Sequence, residues 1–406
     1  MKQGATHKKK LMLLGGLRYL LPVIDAAHKL GIHVITCDYL PDNIAHKYSD
    51  EYCNVSIIDK EAVLAAAREL QIDGIMSFAV DPGVVSAAYV QQEMGLPGCP
   101  YESVCILQNK DRFREFLRAH GFNCPWSFGF ASVQEALDAA EQYTYPAIVK
   151  PTDSAGSKGV GRVDSPAELP AALQEAMRCS LSGHIIVEQF IEKVGDTTGS
   201  DSFAVDGELR FVSFDDQVFD PASPNPYTPS AHCWPSTMPE DKQAELRAEL
   251  QRLISLLNLG TSIFNIEARV GTDGKVYIME VSPRGGGNRL AEVIRMGAGV
   301  DLITASVRAA VGLPVQGVEQ KPFNGAWAIM ALHAPREGVF HHLEISPAMQ
   351  PHVVEEALLV KPGDTVHPFR GANDAIGHLI LHYDTRDALT AAMRQMEQNV
   401  RVVLSE

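Results

Sequence analysis

The sequence predicts an α/β protein that begins with a parallel, Rossmann-like sheet and ends with a small α+β segment. Three observations support this prediction: strands and helices alternate through the first hundred residues, an alternating hairpin occupies residues 263–281, and the pattern changes again after about residue 320. The chain has 406 residues, of which 46% are hydrophobic and 21% charged, so it is long enough for two or three domains.

The N-terminal part alternates between short apolar runs and amphipathic segments. Buried strands that are joined by helices predict a parallel sheet with helices on both faces. Four strands are expected, at Leu11–Leu14, Ile32–Cys37, Val55–Ile58 and Gly74–Ala79, with a helix at Glu61–Leu70 before the last of them.

Composition and charge exclude several classes of protein. A formal net charge of −15 argues against nucleic acid or an anionic membrane as the main partner. The seven cysteines form no CxxC pair, which favours reduced thiols. No apolar run is long enough for a signal peptide or a membrane span, so a cytoplasmic location is expected.

Further along the chain, the segments expected to be regular are separated by one proline-rich stretch. Residues 218–240 contain six prolines, which predicts a long loop rather than regular structure. Regular elements are expected at Asn109–His120 (helix), Ala147–Lys150 and Ile185–Glu188 (strands), Ala388–Gln398 (helix) and Val400–Leu404 (strand).

The hairpin carries the strongest chemical signal. Ile263–Val270 and Lys275–Val281 both alternate between apolar and polar residues, and Asp273-Gly274 lies between them. Asp-Gly is a preferred centre for a two-residue type I′ turn, which would pair Thr272 with Lys275.

This pairing would place Glu267 directly opposite Glu280. Like charges opposed across a sheet are destabilising, so a divalent cation between the two carboxylates is the favoured interpretation. The alternative is a solvated strand face on which Arg269 lies near the glutamates.

A glycine-rich segment follows Glu280 almost at once. Arg284 precedes three glycines, Gly285–Gly287, and then Asn288. The glycines allow the backbone to approach an anion closely, and the arginine offers a planar donor fork. A surface turn with a solvated arginine would explain Pro-Arg-Gly but not three consecutive glycines.

A second glycine-rich segment follows a lysine. Lys150 ends a predicted strand, and Ser154–Gly161 contains Ser157, Lys158 and Gly159. Such a loop can fold over a triphosphate and offer N–H groups and hydroxyls. The GxxxxGK[ST] spacing of a P-loop is absent.

Taken in order, these motifs resemble the ATP-grasp superfamily. The succession is Lys110, Lys150 with its glycine-rich loop, Val187–Ile191, Glu267, and Glu280 within an ExNPR-like element, over about residues 105–300. The resemblance implies an N-terminal domain at residues 1–107, an ATP-grasp fold of two α+β subdomains at 108–315 with a lid subdomain at about 125–190, and a C-terminal α+β segment at 316–406.

The resemblance also implies roles for individual residues, with ATP and Mg²⁺ (or Mn²⁺) as cofactors. Arg284 would be catalytic, and Glu267 and Glu280 would hold the metal. The ATP-binding set would be Lys110, Lys150, Ser157, Lys158, Gly159, Glu188, Gln189, Phe190 and Ile191, of which residues 188–191 form the hinge that meets adenine. Ser282 stands where the family often has asparagine, and Asp196 or Asp201 would approach the ribose.

Within the superfamily, the Arg-Gly-Gly-Gly element and the C-terminal segment look closest to the L-amino-acid (dipeptide) ligases and the carbamoyl-phosphate-synthase-like group. This likeness implies that His232 and Asn288 face the substrate, although His232 is equally compatible with a structural loop histidine. The Ser77–Gly83 turn could also line the pocket. A homodimer is the family expectation.

The expected function is an ATP-dependent, ADP-forming carboxylate–amine ligase that works through an acyl phosphate on small-molecule carboxylate and amine substrates. A purine-pathway or carbamoyl-phosphate-type enzyme is the alternative. It would need an Arg/Lys cluster for a substrate phosphate in the N-terminal domain, where the sequence shows only Arg18 near the expected turns. A nonenzymatic nucleotide-binding protein would be expected to have lost an acidic ligand or a phosphate lysine, and all are present.

Overall fold

Four β-sheets organise the protein. The computed structural model describes residues 8–153 and 157–405, and within these ranges the sheets have four, nine, three and four strands. We call the nine-stranded sheet the large sheet and the antiparallel four-stranded sheet the small sheet. In the described part of the chain, no helix is both long and apolar enough to cross a membrane.

The N-terminal sheet is parallel, as the sequence predicts, and the structure gives its strand order as β3-β2-β1-β4. Its strands are β1 (Lys10–Leu14), β2 (His33–Cys37), β3 (Glu51–Cys53) and β4 (Gly74–Ser77). Its helices are α1 (Leu21–Lys29), α2 (Lys60–Leu70), α3 (Val84–Met94) and α4 (Tyr101–Gln108).

The expected third strand at Val55–Ile58 is wrong, because the strand lies earlier, at Glu51–Cys53. Residues 55–58 instead lead into α2, where the Asp59 side chain accepts a hydrogen bond from the N–H of Ala62 and caps the helix. Ile57 is buried in the core beside the N-terminal sheet and Val55 packs against that core, whereas Ile58 is 64% exposed. An apolar pattern of only four residues does not distinguish a strand from a helix approach.

The small sheet follows helix α5 (Lys110–Ala119) and has the antiparallel order β5-β8-β6-β7. The predicted strands at Ala147–Lys150 and Ile185–Glu188 are confirmed as β6 and β8. The elements are β5 (Ser127–Phe130), α6 (Val133–Asp138), β6 (Ala147–Pro151), β7 (Gly161–Val163), α7 (Leu169–Cys179) and β8 (Ile185–Gln189).

The large sheet runs in the order β14-β13-β9-β11-β12-β15-β19-β17, and β10 pairs with β9. Its first part comprises β9 (Lys193–Val205), β10 (Glu208–Val212), β11 (Asp216–Phe219), β12 (Pro229–Trp234), β13 (Ser262–Gly271) and β14 (Val276–Ser282). Helices α8 (Glu240–Leu256), α9 (Leu290–Ala298) and α10 (Leu302–Ala310) belong to the same part of the chain.

The expectation of one irregular loop over residues 218–240 is also wrong, because β12 lies inside this stretch. Three of the prolines fall in the connection between β11 and β12, whereas Pro229 is the first residue of β12 and lies at a register shift. Proline is tolerated at the start of a strand because its missing N–H breaks no ladder there. His232 is therefore a strand residue rather than a loop residue.

The C-terminal segment does not form a separate unit, since three of its strands extend the large sheet and β15 pairs with β12. These are β15 (Ala326–Leu332), β17 (Val353–Leu358) and β19 (Gly377–Tyr383), while β16 (Gly338–Ile345), β18 (Thr365–Val366) and β20 (Val400–Ser405) form the three-stranded sheet. The predicted helix over residues 388–398 is divided into α11 (Arg386–Arg394) and α12 (Met396–Asn399), where Asn399 Nδ2 donates to the Ala392 carbonyl at the end of α11.

The N-terminal sheet packs tightly against the rest of the protein through α10. A Cβ atom built on Gly74 of β4 would lie 2.2 Å from the carbonyl oxygen of Ala310, the last residue of α10. Backbone at such a distance cannot move aside as a side chain can, so only glycine fits.

We therefore expect Gly74→Ala to lower the free energy of unfolding by about 1–3 kcal/mol, the usual range for overpacking a core. Urea unfolding followed by circular dichroism measures the change. The matched control is Gly371→Ala, because Gly371 has an extended backbone (φ 178°) and open space around its Cβ position. Equal stabilities for the two variants would contradict the proposed close contact.

Candidate active site

Two glutamates face each other on the hairpin formed by β13 and β14. Glu267 pairs with Glu280 in the antiparallel register, which confirms the predicted juxtaposition. The turn, however, differs from the prediction. Gly271 and Lys275 close a three-residue loop, through a hydrogen bond from Gly271 N to Lys275 O of 2.8 Å, and Gly274 has a positive φ of 74°.

A β-bulge restores the register that the longer loop would otherwise displace. Near the turn Ala268 pairs with Ile278, but the next pair is Glu267 with Glu280, so Met279 is the extra residue of β14. A bulge places two residues of one strand opposite one of the partner. The correct pairing of the two glutamates therefore results from two local departures from the predicted hairpin, which compensate each other.

The surroundings of the two glutamates suit a divalent cation. The side chains of Glu267 and Glu280 are 38% and 41% exposed. Glu267 Oε1 accepts a hydrogen bond from Arg269 Nη2 at 3.0 Å, and Lys110 Nζ lies 3.9 Å from Glu280 Oε2. Among the described residues no group of three or more His, Cys, Asp or Glu could hold a metal. Two carboxylates whose site is completed by phosphate oxygens and water are the donor set typical of Mg²⁺ bound with a nucleotide.

A buried ion cluster lies beside the carboxylates. Glu188 accepts hydrogen bonds from Lys150 Nζ at 2.5 Å and from Arg114 Nε at 2.9 Å, and its side chain is only 2% exposed. Burial alone would raise the pKa of Glu188, but the two cations outweigh it and lower this pKa to about 2. The pKa of Lys150 is lowered, mainly by burial and further by the charges of Arg114 and Lys110. The negative charge of Glu188 opposes this shift but does not cancel it.

Arg114 is a member of this cluster that the sequence reasoning missed. It is fully buried, and its Nη1 and Nη2 atoms have no hydrogen-bond partner among the described residues. The available signal was its spacing, since Arg114 lies four residues after Lys110 on α5 and therefore on the same helix face.

The cluster has an excess of positive charge that suits a polyphosphate. Lys110, Lys150 and Arg114 carry three positive charges against the two negative charges of Glu188 and Glu280. Lys110 begins α5, and its N–H donates to the carbonyl of Thr152 at 3.0 Å, which ties this helix to the end of β6.

The loop over residues 157–160 contacts the connection between β11 and β12. Ser157 Oγ donates to the Tyr227 carbonyl at 3.0 Å, and Asn225 Nδ2 lies 3.4 Å from the carbonyl oxygen of Ser157. Gly159 has a φ of 70°, and a Cβ there would lie 2.6 Å from Cys179. Lys158 lies between them. Residues 154–156 of the predicted phosphate loop lie outside the described residues.

The predicted hinge connects the small sheet with the large sheet, because β8 ends at Gln189 and β9 begins at Lys193. Phe190 lies under the guanidinium of Arg162, with 4.4 Å between the Cζ atom and the ring centroid, and Ile191 is buried. The expected contact of Glu188 with adenine stays a prediction; its side chain is engaged by Lys150 and Arg114.

Arg284 is buried and held by a carboxylate of the N-terminal part of the chain. Its Nε and Nη2 atoms donate to the two oxygens of Asp81 at 2.8 and 2.7 Å. Asp81 lies in the Ser77–Gly83 turn after β4, which the sequence identified as a pocket segment without naming this residue. Ser282 is buried. Its hydroxyl accepts a hydrogen bond from Gln108 Nε2 at 2.9 Å and donates one to Asp81 Oδ1 at 3.1 Å, so it belongs to the same hydrogen-bond network as Arg284.

The glycine segment after Arg284 is fixed from both sides. Asp201 accepts hydrogen bonds from the N–H of Gly286 at 2.8 Å and from Asn265 Nδ2 at 2.9 Å, while the N–H of Ala79 donates to the carbonyl of Gly285 at 3.1 Å. Burial raises the pKa of Asp201 to about 6. Asp201 therefore supports the glycine segment with both oxygens.

The two proposed substrate residues lie on different elements, His232 on β12 and Asn288 directly after the glycine segment. His232 on β12 is oriented by Asp215, whose Oδ2 lies 2.9 Å from Nδ1, and Asp215 also accepts the N–H of Gly199 at 2.7 Å. Asn288 has a positive φ of 52°, and its buried Oδ1 has no hydrogen-bond partner in the described part of the chain. Asp215 was not identified from the sequence.

The paired carboxylates and the cation cluster have charges that suit a polyphosphate bound with a divalent cation. Comparison with known families agrees: residues 143–292 match the ATP-grasp domain, and residues 330–405 match the L-amino acid ligase C-terminal domain 2. The chain thus contains an ATP-grasp domain, followed by a segment similar to the C-terminal domain of L-amino acid ligases.

Two curated proteins are similar to this chain over about three quarters of its length. A formate-dependent phosphoribosylglycinamide formyltransferase of Synechococcus sp. is 27% identical over 77% of this chain and 79% of its own length. The carbamoyl phosphate synthase large chain of Thermotoga neapolitana is 25% identical over 76% of this chain, which spans only 29% of that protein.

Among solved structures, the L-amino acid ligase from Bacillus licheniformis has a TM-score of 0.82 at 19% identity, and the match covers 99% of this chain and 100% of that one. At this identity the likeness shows a shared fold.

The buried cluster leads to a prediction for pH dependence. Because the folded-state pKa of Glu188 lies below its ordinary value of 4.5, its contribution to stability is complete above pH 4.5 and is lost as the pH falls toward 2. Glu188→Gln breaks a buried ion pair, so we expect a loss of about 3–5 kcal/mol at neutral pH and a shallower decline in acid. Thermal unfolding midpoints measured across this range provide the test.

The control for this experiment is Glu141→Gln, which alters an exposed glutamate in the same part of the chain. It is expected to follow the wild-type profile. A Glu188→Gln profile parallel to that of the wild type would show that this carboxylate does not contribute to the acid dependence.

Proposed function

We propose that the protein is an ATP-dependent, ADP-forming ligase that joins a carboxylate to an amine through an acyl phosphate, with amino acids or similar small molecules as substrates. The observation that carries this proposal is the opposed Glu267–Glu280 pair beside three cations, with Arg284 fixed a few residues beyond it. A nucleotide-binding protein without catalytic activity would not need this complete set.

The first step is phosphoryl transfer. A carboxylate oxygen of the first substrate attacks the γ-phosphorus of ATP, the bond from that phosphorus to the β–γ bridging oxygen breaks, and ADP leaves with the electron pair. Lys110 and Lys150 bind the phosphate oxygens in this proposal. Arg284 Nη2 donates to Asp81 and Nη1 to the Gly285 carbonyl, and the remaining N–H groups of this guanidinium contact the transferred phosphoryl group. Preorganised donors of this kind stabilise charge that develops in the transition state.

Glu267 and Glu280 would hold Mg²⁺, which, when bound, neutralises phosphate charge and acts as a Lewis acid. Glu188 keeps Lys150 in place through their buried ion pair, and Arg114 holds Glu188 from the other side. Residues Gln189 to Ile191 contact adenine in this proposal, since they connect the two sheets between which the cation cluster lies.

The second step forms the amide. The amine nitrogen of the second substrate attacks the acyl carbon, the carbon–oxygen bond to phosphate breaks, and inorganic phosphate leaves while the nitrogen loses a proton. Water competes for the same carbon, so the loop that carries Ser157, Lys158 and Gly159 protects the intermediate when it covers the site. His232 and Asn288 are proposed to face the substrates.

The proposal is tested by incubating the full chain with ATP, Mg²⁺ and a pool of amino acids and measuring ADP release. Hydroxylamine, a small neutral amine, traps an acyl phosphate as a hydroxamate. ADP release with hydroxamate formation is expected. ADP release without hydroxamate from any carboxylate in the pool would contradict the acyl-phosphate route.

For Arg284→Ala we expect hydroxamate formation to fall by about 100-fold or more, because a preorganised transition-state donor is lost. Asp81→Asn keeps the arginine but weakens the fork that orients it, so a smaller loss is expected. Circular dichroism verifies that both variants are folded. Normal turnover by Arg284→Ala would exclude the assigned role.

For Glu280→Gln we expect Mg²⁺-dependent ADP release to fall by about 100-fold, since metal charge stabilisation is worth several kcal/mol. The apparent affinity for Mg²⁺, obtained by titrating the metal at fixed ATP, should weaken as well. Glu356→Gln on the exposed face of β17 is the matched control. Unchanged metal dependence in Glu280→Gln would contradict the hairpin metal site.

A further inference from the structure

A cavity of about 580 Å³ lies between the large sheet and the last helices of the chain. Its walls are the connection between β11 and β12, the end of β15, and the segment from α11 to β20. The volume falls within the about 300–1,000 Å³ that is typical of small-molecule sites. None of the described residues that line it is assigned above to ATP, metal or substrates.

The cavity lies on the face of the large sheet that is turned away from the reaction site. Successive residues of a strand point to opposite faces of a sheet. On β12, Ala231 lines the cavity, whereas His232, the proposed substrate residue, follows it directly. On β15, Met330 and Leu332 line the cavity, whereas Ile329 packs in the core cluster that contains residues of α9. The sheet therefore separates a molecule in the cavity from the reacting groups.

The interior of the cavity is mainly apolar and adaptable in shape. Met330 comes from the sheet, and Met393 and Met396 come from α11 and α12. Methionine is unbranched and flexible, so it packs against apolar groups of different shapes. The buried ring of Phe369 stacks on His333, with 4.5 Å between the centroids, and closes one wall. This interior suits an apolar side chain.

The opening of the cavity carries one uncompensated charge of each sign. Arg394 ends α11 and Glu397 lies in α12, and both side chains are exposed and line the cavity. Neither forms an ion pair within the described part of the chain. A third charged residue of the lining, Arg401, already donates to Glu344 at 2.9 Å. A ligand with one negative and one positive group therefore finds a counterion for each.

The connection between β11 and β12 links the cavity to the loop over residues 157–160. At the cavity, Asp220 Oδ2 lies 3.0 Å from His333 Nε2. At the loop, Ser157 Oγ donates to the Tyr227 carbonyl at 3.0 Å, and Asn225 Nδ2 lies 3.4 Å from the Ser157 carbonyl oxygen. A molecule in the cavity thus contacts the segment against which the proposed ATP-binding loop rests.

Two hydroxyl groups of this connection lack hydrogen bonds. Ser223 Oγ and Thr228 Oγ1 are buried, and neither has a partner among the residues that the structure describes. A buried hydroxyl without a partner is unfavourable, so a small shift that pairs either group is energetically accessible. A ligand that contacts the connection selects between such arrangements by binding one of them better.

We propose that this cavity is a second small-molecule site, which binds zwitterions with apolar side chains and strengthens nucleotide binding through the β11–β12 connection. The carboxylate of the ligand pairs with Arg394 and its ammonium group with Glu397, while the side chain packs among the methionines. An apolar amino acid and a short peptide of such residues share this chemistry. The site goes beyond the proposed ligase reaction and binds its ligand whether or not turnover occurs.

Binding is tested by isothermal titration calorimetry on the full chain with leucine, leucylleucine and N-acetylleucinamide, which has neither charge. Met393→Trp fills the cavity, and we expect it to remove a binding event that the wild type shows with leucine or leucylleucine. Arg394→Gln should weaken the same event by about 2- to 5-fold, the loss expected for an exposed ion pair. Arg68→Gln, at an exposed arginine of α2, is the matched control, and circular dichroism verifies folding.

Coupling to the nucleotide is tested with ADP and Mg²⁺, so that no turnover takes place. A saturating concentration of the tighter of the two zwitterions should lower the Kd for ADP by about 5-fold or more, and ADP should lower the Kd for that zwitterion by the same factor, because coupling is reciprocal. Asn225→Ala removes one contact with the loop and should keep zwitterion binding while reducing the coupling. Met393→Trp should abolish both.

Each outcome bears on one part of the inference. Identical binding of both zwitterions by the wild type, Met393→Trp and Arg394→Gln overturns the site. Equal affinity for N-acetylleucinamide and the zwitterions overturns the role of the two charges, and an unchanged Kd for ADP overturns the coupling. Tighter binding of leucine identifies a free amino acid as the ligand, and tighter binding of leucylleucine identifies a peptide. Intact binding in a protein that forms no hydroxamate would overturn the ligase reaction and leave this site standing.

Discussion

The pairing of Glu267 with Glu280 is the constraint on which the rest of the site depends. Two carboxylates placed across a hairpin repel each other, and this repulsion is tolerated only because cations surround them. Arg269 and Lys110 provide part of that charge within the protein. A bound divalent metal would provide the remaining positive charge, so the repulsion between the two carboxylates favours binding of a cation between them.

The same hairpin connects parts of the chain that are distant in sequence. β14 ends at Ser282, whose hydroxyl donates to Asp81, and two residues later Arg284 forms its fork with the same carboxylate. The N-terminal sheet is thereby held to the strand that carries Glu280. On the other side, Lys110 lies near Glu280 while its backbone bonds to Thr152 at the end of the small sheet. Two sheets and the hairpin thus share one polar network.

Sequence patterns identified elements and residue types better than they identified partners. The parallel N-terminal sheet, β6, β8, α5 and the glutamate pair were predictable, because each follows from a local periodicity. Arg114, Asp81 and Asp215 were missed as site residues. Arg114 pairs with Glu188, Asp81 with Arg284 and Asp215 with His232. The two members of each pair are more than fifteen residues apart in the sequence, and no local pattern encodes such a pairing.

The errors in the fold have a related origin. The proline-rich stretch was expected to be irregular because proline lacks an N–H, but β12 pairs with both β11 and β15 and begins at a proline that needs no ladder hydrogen bond there. The turn of the hairpin was predicted with two residues and has three, and a bulge at Met279 compensates for the extra residue. The sequence carries a sign of this bulge that was overlooked, since Lys275 and Glu280 are five residues apart and therefore out of phase with strict alternation.

By itself, the sequence determined where the carboxylates, lysines and glycines stand along the chain, and therefore its resemblance to an ATP-grasp domain, because spacing within a strand or loop is a local property. The tertiary structure decided which cation holds Glu188, which carboxylate orients Arg284, and that the β11–β12 connection contacts both Ser157 and a cavity. These pairings depend on sheet order and on packing between distant segments, in which burial makes each unsatisfied charge or hydrogen bond unfavourable and so selects its partner.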